Sequence, residues 1–226
     1  MARAQKKLTR KELRQDPLMK TVSQAQVWLD LHGRKLSIAI ISVVVIALVV
    51  VIYNRMRVSA NNDALLAMSQ VRSILSENRR EDAVKLMEQT ADRFKGTQGA
   101  AEALYSLAEF NLADNKNEEA LEYFDKFVRK YKNEHFLYVS ALDGKATALE
   151  NLGRIEEAAK TYDLVVANDH LGYVKPYALY DAGRCYALSG KPQIAKQRFQ
   201  KVIDEFERSK IKPGAERELA KLELNL

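Results

Sequence analysis

The sequence contains few of the side chains from which chemical sites are built. It has three histidines, His32, His135 and His170, and one cysteine, Cys185. No histidine has a cysteine, serine or carboxylate partner at the spacing of a metal site or a catalytic triad. A single cysteine cannot form an intrachain disulfide, and a small apolar side chain at this point fits a packed helix pair. The sequence therefore predicts no catalytic residue, no metal, no cofactor and no small-molecule substrate, and so a protein that is not an enzyme.

Most of the chain also lacks an excess of charge. Residues 1–35 contain nine Lys or Arg against three acidic residues, a net charge of +6 that equals the net charge of the whole protein. Residues 54–226 contain 27 basic and 27 acidic residues and are neutral. The basic pI is thus a property of the N-terminal segment, and it gives no reason to expect that the larger part binds nucleic acid.

What the sequence does contain is a long uncharged run from Leu36 to Tyr53, in which 13 of 18 residues are Leu, Ile or Val. As a helix this run would extend ~27 Å, against about 30 Å for the hydrocarbon core of a bilayer. A buried core helix and a cleaved signal peptide are the alternatives, but 35 residues precede the run, and Arg55 and Arg57 separate it from the nearest small-residue site. We predict an uncleaved single-pass transmembrane helix, residues 36–53, in contact with lipid.

The charge asymmetry predicts the orientation of this helix. Cytoplasmic flanks are enriched in Lys and Arg, so we expect residues 1–35 as a basic cytoplasmic tail and the larger domain outside the cytoplasm. The basic residues nearest the run are balanced on its two sides, which leaves the inverted topology open. The residues expected at the membrane interface are Trp28, Arg34, Lys35, Tyr53 and Arg55.

The tail contains its own helix signal. Asp16 and Pro17 form a typical helix start, Gly33 is a common end, and an apolar stripe recurs between them. We predict a short amphipathic helix at about 17–32 and a linker at 54–63. This helix would lie at the membrane interface or dock on a membrane partner. A solvated basic arm that only fixes topology is the alternative.

Beyond residue 63 the sequence repeats. Four alanines are separated by 37, 38 and 37 residues: Ala83, Ala120, Ala158 and Ala195. Five residues before each stands a turn former: Asn78, Asn115, Gly153 and Gly190. Four residues after each stands a large apolar side chain: Met87, Phe124, Tyr162 and Phe199. Such coincidences in register indicate repeated helical hairpins, in which a small residue allows close approach of two helices and Asn or Gly makes a left-handed turn.

These hairpins resemble the tetratricopeptide repeat. In "PYALYDAGRCYALSGKPQIAKQRFQKVIDEF" the family's signature positions are occupied by Leu179, Ala182, Gly183, Tyr186, Ala195, Phe199 and Val202. The resemblance implies an all-α solenoid in residues 64–226, with four hairpins at about 64–97, 101–134, 139–172 and 176–209 and a capping helix at 213–224. The first unit departs from the pattern at Ala67, Gln70 and Val71, and it is either a degenerate repeat or a cap.

The period exceeds the usual 34 residues, which is similar to the repeats of bacterial envelope proteins. One branch of these contains periplasmic cell-division coordinators and lipoproteins, and this chain has no lipobox cysteine. Another contains single-pass inner-membrane ancillary subunits of the Sec translocon. The resemblance to the second branch implies a scaffold in the bacterial inner membrane that links the translocon to periplasmic chaperones or exported proteins. An adaptor in envelope assembly or cell division, a cytoplasm-facing adaptor, and the activator of a separate enzyme remain alternatives.

The resemblance also implies a binding groove on the first helices of the hairpins. Counting the family's inward-facing positions along the units gives Tyr105, Glu109, Asp143, Thr147, Glu150, Tyr177, Tyr180 and Arg184. Tyrosine and arginine often carry interface energy, because they bury large areas and still offer polar groups. The Lys and Asn clamp with which some relatives bind C-terminal carboxylates is missing. A solvated surface without a ligand is the alternative.

Overall fold

The computed structural model of the chain describes residues 17–168 and 172–224, and every regular element in these ranges is an α-helix. The chain divides into two compact units, one ending at Met56 and the other beginning at Arg57. The expected all-α fold class is confirmed. The N-cap predicted at Asp16 and the dipeptide formed by Asp169 and His170 lie outside the described residues.

In the first unit, the described residues belong to helix α1, Pro17–Ser76. The apolar run Leu36–Tyr53 lies within α1, and all of its side chains are exposed. Exposure excludes the buried core helix in the described structure. By length and composition, α1 is the one helix among the described residues that could cross a membrane.

The helix predicted at 17–32 does not end at Gly33, and residues 54–63 are not a non-helical linker. Residues 33–63 are helical throughout. A glycine inside a helix costs only about 1 kcal/mol relative to alanine, and the β-branched and leucine residues after Gly33 continue the hydrogen-bonded turns. The stop signal is therefore overridden by its neighbours.

The second unit begins inside α1 and continues through eight more helices in the described residues. These are α2 Arg80–Arg93, α3 Gln98–Ala113, α4 Asn117–Lys130, α5 His135–Asn151, α6 Ile155–Val166, α7 Lys175–Leu188, α8 Pro192–Glu205 and α9 Lys212–Leu224. The substantial contacts are between helices adjacent or next to adjacent in the chain, as in a stack of hairpins. The boundaries proposed for the repeats stay predictions.

Four equivalent turns connect the two helices of each hairpin. Asn78 and Asn115 have φ of 58°, Gly153 has φ of 73° and Gly190 has φ of 74°. After each, the next backbone N–H donates to the carbonyl five residues earlier, as Arg79 does to Ile74 at 3.2 Å. This is the Schellman arrangement, in which a left-handed residue closes the helix end. The turns predicted from the spacing of Asn and Gly are confirmed.

The repeated alanines are the points of closest helix packing. All four are fully buried, and so are the large apolar residues that follow them by four positions. A Cβ added to Gly183 would lie 2.6 Å from Cε1 of Phe199, and one added to Gly144 would overlap the ring of Phe124. Alanine and glycine therefore admit the rings of Phe124 and Phe199, which form the centre of the core.

The last helix, α9, packs against α8 and α7. Ala215 is fully buried, and Gly214 lies close to the ring of Tyr180. The helix thus covers apolar side chains of the preceding hairpin that would otherwise face water. This matches the capping role that solenoids require at their ends.

Candidate functional site

The candidate site is a groove on the first helices of three successive hairpins, α3, α5 and α7. A cavity of about 260 Å³ opens between α3 and α5, and Val174, just before α7, closes one side. Four of the predicted groove residues line this cavity: Tyr105, Glu109, Asp143 and Thr147. We call the cavity and the adjoining carboxylates on α5 and α7 the inner groove.

The wall of the cavity is fixed by packing from behind. Tyr105 is half-buried, and its ring meets those of Phe124 and Phe127 edge-on, each at a centroid distance of 6.2 Å. Thr147 donates to the carbonyl oxygen of Asp143 at 3.1 Å and shares a hydrogen bond of 3.4 Å with the hydroxyl of Tyr162. These side chains are held by the core, so the groove is formed without a ligand.

Carboxylates dominate the charge of the inner groove. Burial, followed by the nearby carboxylates of Asp181 and Glu109, raises the pKa of Asp143 to about 6. Burial also raises the pKa of Asp181, although Arg184 opposes this. No Lys, Arg or His of the described residues forms an ion pair with Asp143. A partly buried carboxylate without a cation keeps much of its attraction for an incoming positive charge.

The one arginine of the groove is already engaged. A guanidinium nitrogen of Arg184 donates to both carboxylate oxygens of Glu150, at 2.8 and 2.9 Å, and to Asp181 at 3.3 Å. The thiol of Cys185 donates to Glu150 at 3.3 Å. Arg184 and Glu150 therefore join α5 to α7, and neither is left as a free charge for a ligand.

The two remaining predicted groove residues do not line the cavity. Tyr180 packs on Phe199 at a centroid distance of 5.7 Å and on Gly214 of α9, so it supports the cap. Tyr177 is exposed on α7. Their assignment to the binding surface stays a prediction.

Asp181 is a groove residue that the sequence analysis missed. The inward positions of α7 were counted from the family pattern, which assigns Tyr180 and passes over its neighbour. The helical period alone gives another stripe, Tyr177, Asp181, Arg184 and Leu188, at intervals of four, three and four residues. That stripe contains the charges that lie beside Asp143.

The residues predicted for the membrane interface all belong to α1. Trp28 stacks on His32 at 5.1 Å between ring centroids, one turn apart on the same helix. The other four predicted residues are exposed: Arg34, Lys35, Tyr53 and Arg55. Their contact with lipid headgroups stays a prediction.

Comparisons with known proteins agree on the repeat. The family model of the tetratricopeptide repeat-like domain matches residues 26–225. A TPR repeat-containing protein of Methanocaldococcus jannaschii is 29% identical over 100 residues, which are 43% of this chain and 30% of that relative. This chain thus aligns with less than a third of the relative's length.

Solved structures of helical repeats are also similar. The TPR-like repeats of a kinesin light chain from Podosopora anserina superpose with a TM-score of 0.56 at 18% identity, over 72% of this chain and 86% of theirs. A MamA RS-1 double mutant superposes with a TM-score of 0.57 at 18% identity, over 72% and 84%. At this identity the likeness concerns the fold alone.

Proposed function

The chain belongs to the family of the tetratricopeptide repeat-like domain, and on that premise we propose that it is a membrane-anchored scaffold that binds other proteins through its inner groove. The repeat is a non-enzymatic scaffold that mediates contacts between proteins. The observation that carries the proposal is the cavity lined by Tyr105, Glu109, Asp143 and Thr147. It is concave and partly apolar, and its polar groups are directed by the packed core.

The anchor is supported by the exposed apolar run within α1. Eighteen residues without charge, none of them buried, would be costly in water and match the length of a bilayer crossing. The basic excess of residues 1–35 favours a cytoplasmic N-terminus and an extracytoplasmic repeat domain.

Within this proposal, the finer role is an accessory factor of a bacterial inner membrane that connects the Sec translocon with periplasmic chaperones or exported proteins. Its support is the single apolar run before the repeats and the repeat period of 37 or 38 residues. An adaptor in envelope assembly or cell division has the same architecture. A cytoplasm-facing adaptor follows if the topology is inverted.

Site-specific crosslinking in intact bacterial cells tests these roles. A photoreactive amino acid replaces Glu109 in the groove, Trp28 near the membrane, or, as a control, Glu122 on the exposed face of α4. Mass spectrometry then identifies the captured proteins. Translocon subunits at position 28, together with chaperones or exported chains at position 109, would support the export role.

Other outcomes separate the alternatives. Cell-division or cell-wall proteins at position 109 would replace the export role, and cytoplasmic proteins there would reverse the topology. If position 109 captures nothing beyond the set found at position 122, the groove is not the binding surface and the scaffold proposal fails.

A further inference from the structure

The inner groove has a charge that restricts which protein segment it can accept. Its charged side chains are four carboxylates and one guanidinium, which gives a net charge of −3 at neutral pH when all are ionised: Glu109, Asp143, Glu150, Asp181 and Arg184. Residues 54–226 as a whole are neutral. The negative charge is therefore concentrated in the groove and compensated elsewhere.

Only part of this charge is neutralised by the protein itself. Arg184 is shared between Glu150 and Asp181, and its distance to Glu150, 2.8 Å, is the shorter. Glu109 is exposed, and Asp143 faces Glu109 and Asp181 without a cation of its own. Two carboxylates on neighbouring helices thus remain available to an incoming positive charge.

The apolar part of the lining completes the specification. Beside the carboxylates, the cavity is lined by Leu112, Val139 and Val174. Its volume of about 260 Å³ is sufficient for one or two side chains rather than a folded domain. Such a site suits an extended segment that presents a basic side chain next to an aliphatic one.

We propose that the inner groove binds an extended segment of a partner protein in which lysine or arginine alternates with aliphatic residues. This inference rests on the proposed function and specifies the partner. Acidic segments and free C-terminal carboxylates are disfavoured, because they would meet Glu109 and Asp143 while Arg184 is already bound. Charge complementarity of this kind sets specificity and association rate more than total affinity.

The test is a binding titration with the full chain in nanodiscs of zwitterionic phosphatidylcholine. Three fluorescent peptides of equal length are compared: Lys alternating with Leu, Gln alternating with Leu, and Glu alternating with Leu. Empty nanodiscs measure adsorption to lipid. We expect the Lys peptide to bind the protein, the Glu peptide not to bind, and the affinity for the Lys peptide to fall as NaCl is raised.

Variants locate the binding site. Glu109→Gln should weaken binding of the Lys peptide by about threefold, the range of one exposed ion pair. Glu109→Lys should abolish it, and since this side chain is exposed the fold should tolerate the change. Glu122→Gln, on the exposed face of α4 and paired with Lys126, should have no effect.

A pH profile adds a readout that a nonspecific acidic surface would not give. The groups facing Asp143 are Glu109 and Tyr105 of α3, Tyr162 of α6 and Asp181 of α7. Because burial and like charges raise the pKa of Asp143 to about 6, binding should weaken between pH 7.5 and pH 5. In Asp143→Asn this loss should be smaller, while the variant binds more weakly than the wild type at pH 7.5.

Failure of this inference differs from failure of the scaffold role. If crosslinking at Glu109 captures partners but the Glu or Gln peptide binds as well as the Lys peptide, the groove binds protein and the basic specificity is wrong. Equal losses in Glu109→Gln and Glu122→Gln would show general attraction to the surface and would also overturn it. If no peptide binds and position 109 captures nothing, both proposals fail.

Discussion

At the scale of single residues, the inner groove contains a side chain that weakens the fold it belongs to. Asp143 is partly buried, faces Glu109 and Asp181, and has a pKa of about 6. An aspartate in the unfolded chain titrates near 3.9. The folded state therefore holds its proton more tightly, and stability falls as pH rises from about 4 to 6.

Asp143→Asn should accordingly stabilise the protein at pH 7.5 and not at pH 4, where the wild-type carboxyl is already protonated in the folded state. We expect a gain of about 1–2 kcal/mol, or ~3–6 °C in Tm, measured by thermal unfolding of the full chain in detergent. Asp92→Asn, at an exposed carboxylate paired with Lys95, should change Tm little at either pH. An equal gain at both pH values would contradict the assigned pKa.

Cys185 should be chemically inert in the folded protein. It is fully buried, and burial together with the hydrogen bond to Glu150 raises the pKa of its thiol to about 12. Because the thiolate is the reactive form, Ellman's reagent should not label the native chain at pH 8 and should label it completely in guanidinium chloride. Leu188→Cys in a Cys185→Ala background, exposed one turn later, should react at once. Rapid labelling of native Cys185 would contradict the packing described for α7.

At the scale of helices and turns, local sequence signals succeeded where the backbone needs one conformation. The left-handed turns could be predicted because Asn or Gly stands at each of the four equivalent positions. The signal at Gly33 failed because nothing there requires a positive φ, and a strong helix-forming run follows. Asp181 was missed because the family pattern was counted in place of the 3.6-residue period of α7. Pairwise partners such as Arg198 and Asp163, 35 residues apart, depend on the stacking and could not be read from sequence.

Glycines on the packed helices should be intolerant of a single methyl group. Gly144→Ala would overlap the ring of Phe124, which is fully buried and cannot move aside freely. We expect a loss of about 1–3 kcal/mol in the free energy of unfolding, as for other overpacked cores. Gly172→Ala is the matched control, because a Cβ there has no neighbour within 4 Å. Denaturant unfolding of both variants measures the difference, and equal stabilities would argue against the close approach of α4 and α5.

The ion pair between α6 and α8 should contribute measurably to hairpin stacking. Arg198 donates to the two oxygens of Asp163 at 2.7 and 3.0 Å, and Tyr186 donates to the same carboxylate at 2.8 Å. A double-mutant cycle with Arg198→Gln and Asp163→Asn should give a coupling energy of about 1 kcal/mol, above that of exposed pairs. The cycle of Arg129 and Asp125, an exposed pair at 3.7 Å, should give a value near zero. Similar coupling in both cycles would mean that the bidentate geometry adds nothing.

At the scale of the whole molecule, stability depends on how the stack of hairpins ends. Helix α9 covers Tyr180, Phe199 and their neighbours through Gly214 and Ala215. A chain truncated after Glu205 should lose stability cooperatively, bind the dye ANS and aggregate at concentrations where the full chain stays in solution. Truncation after Lys221, which leaves the buried part of α9, should behave as the full chain. Undiminished Tm in the shorter chain would contradict the role of α9 as a cap.

The architecture of the repeat unit could be predicted almost entirely, and the partner could not. Ala83, Ala120, Ala158 and Ala195 recur at a fixed spacing because every hairpin solves the same packing problem. The inner groove has no such constraint, because its side chains face solvent and differ from one hairpin to the next. Its charge becomes evident only when α3, α5 and α7 are placed side by side.

Because each hairpin is held mainly by the next one, the stack is also a chain of mechanical links. A pull applied to its two ends would load every interface in series, and the weakest hairpin would yield while the others remain folded. Each release would lengthen the molecule by roughly 120 Å, the extended length of one repeat period. The repeat domain would thus lengthen in discrete steps under tension and recover its length by refolding one hairpin at a time.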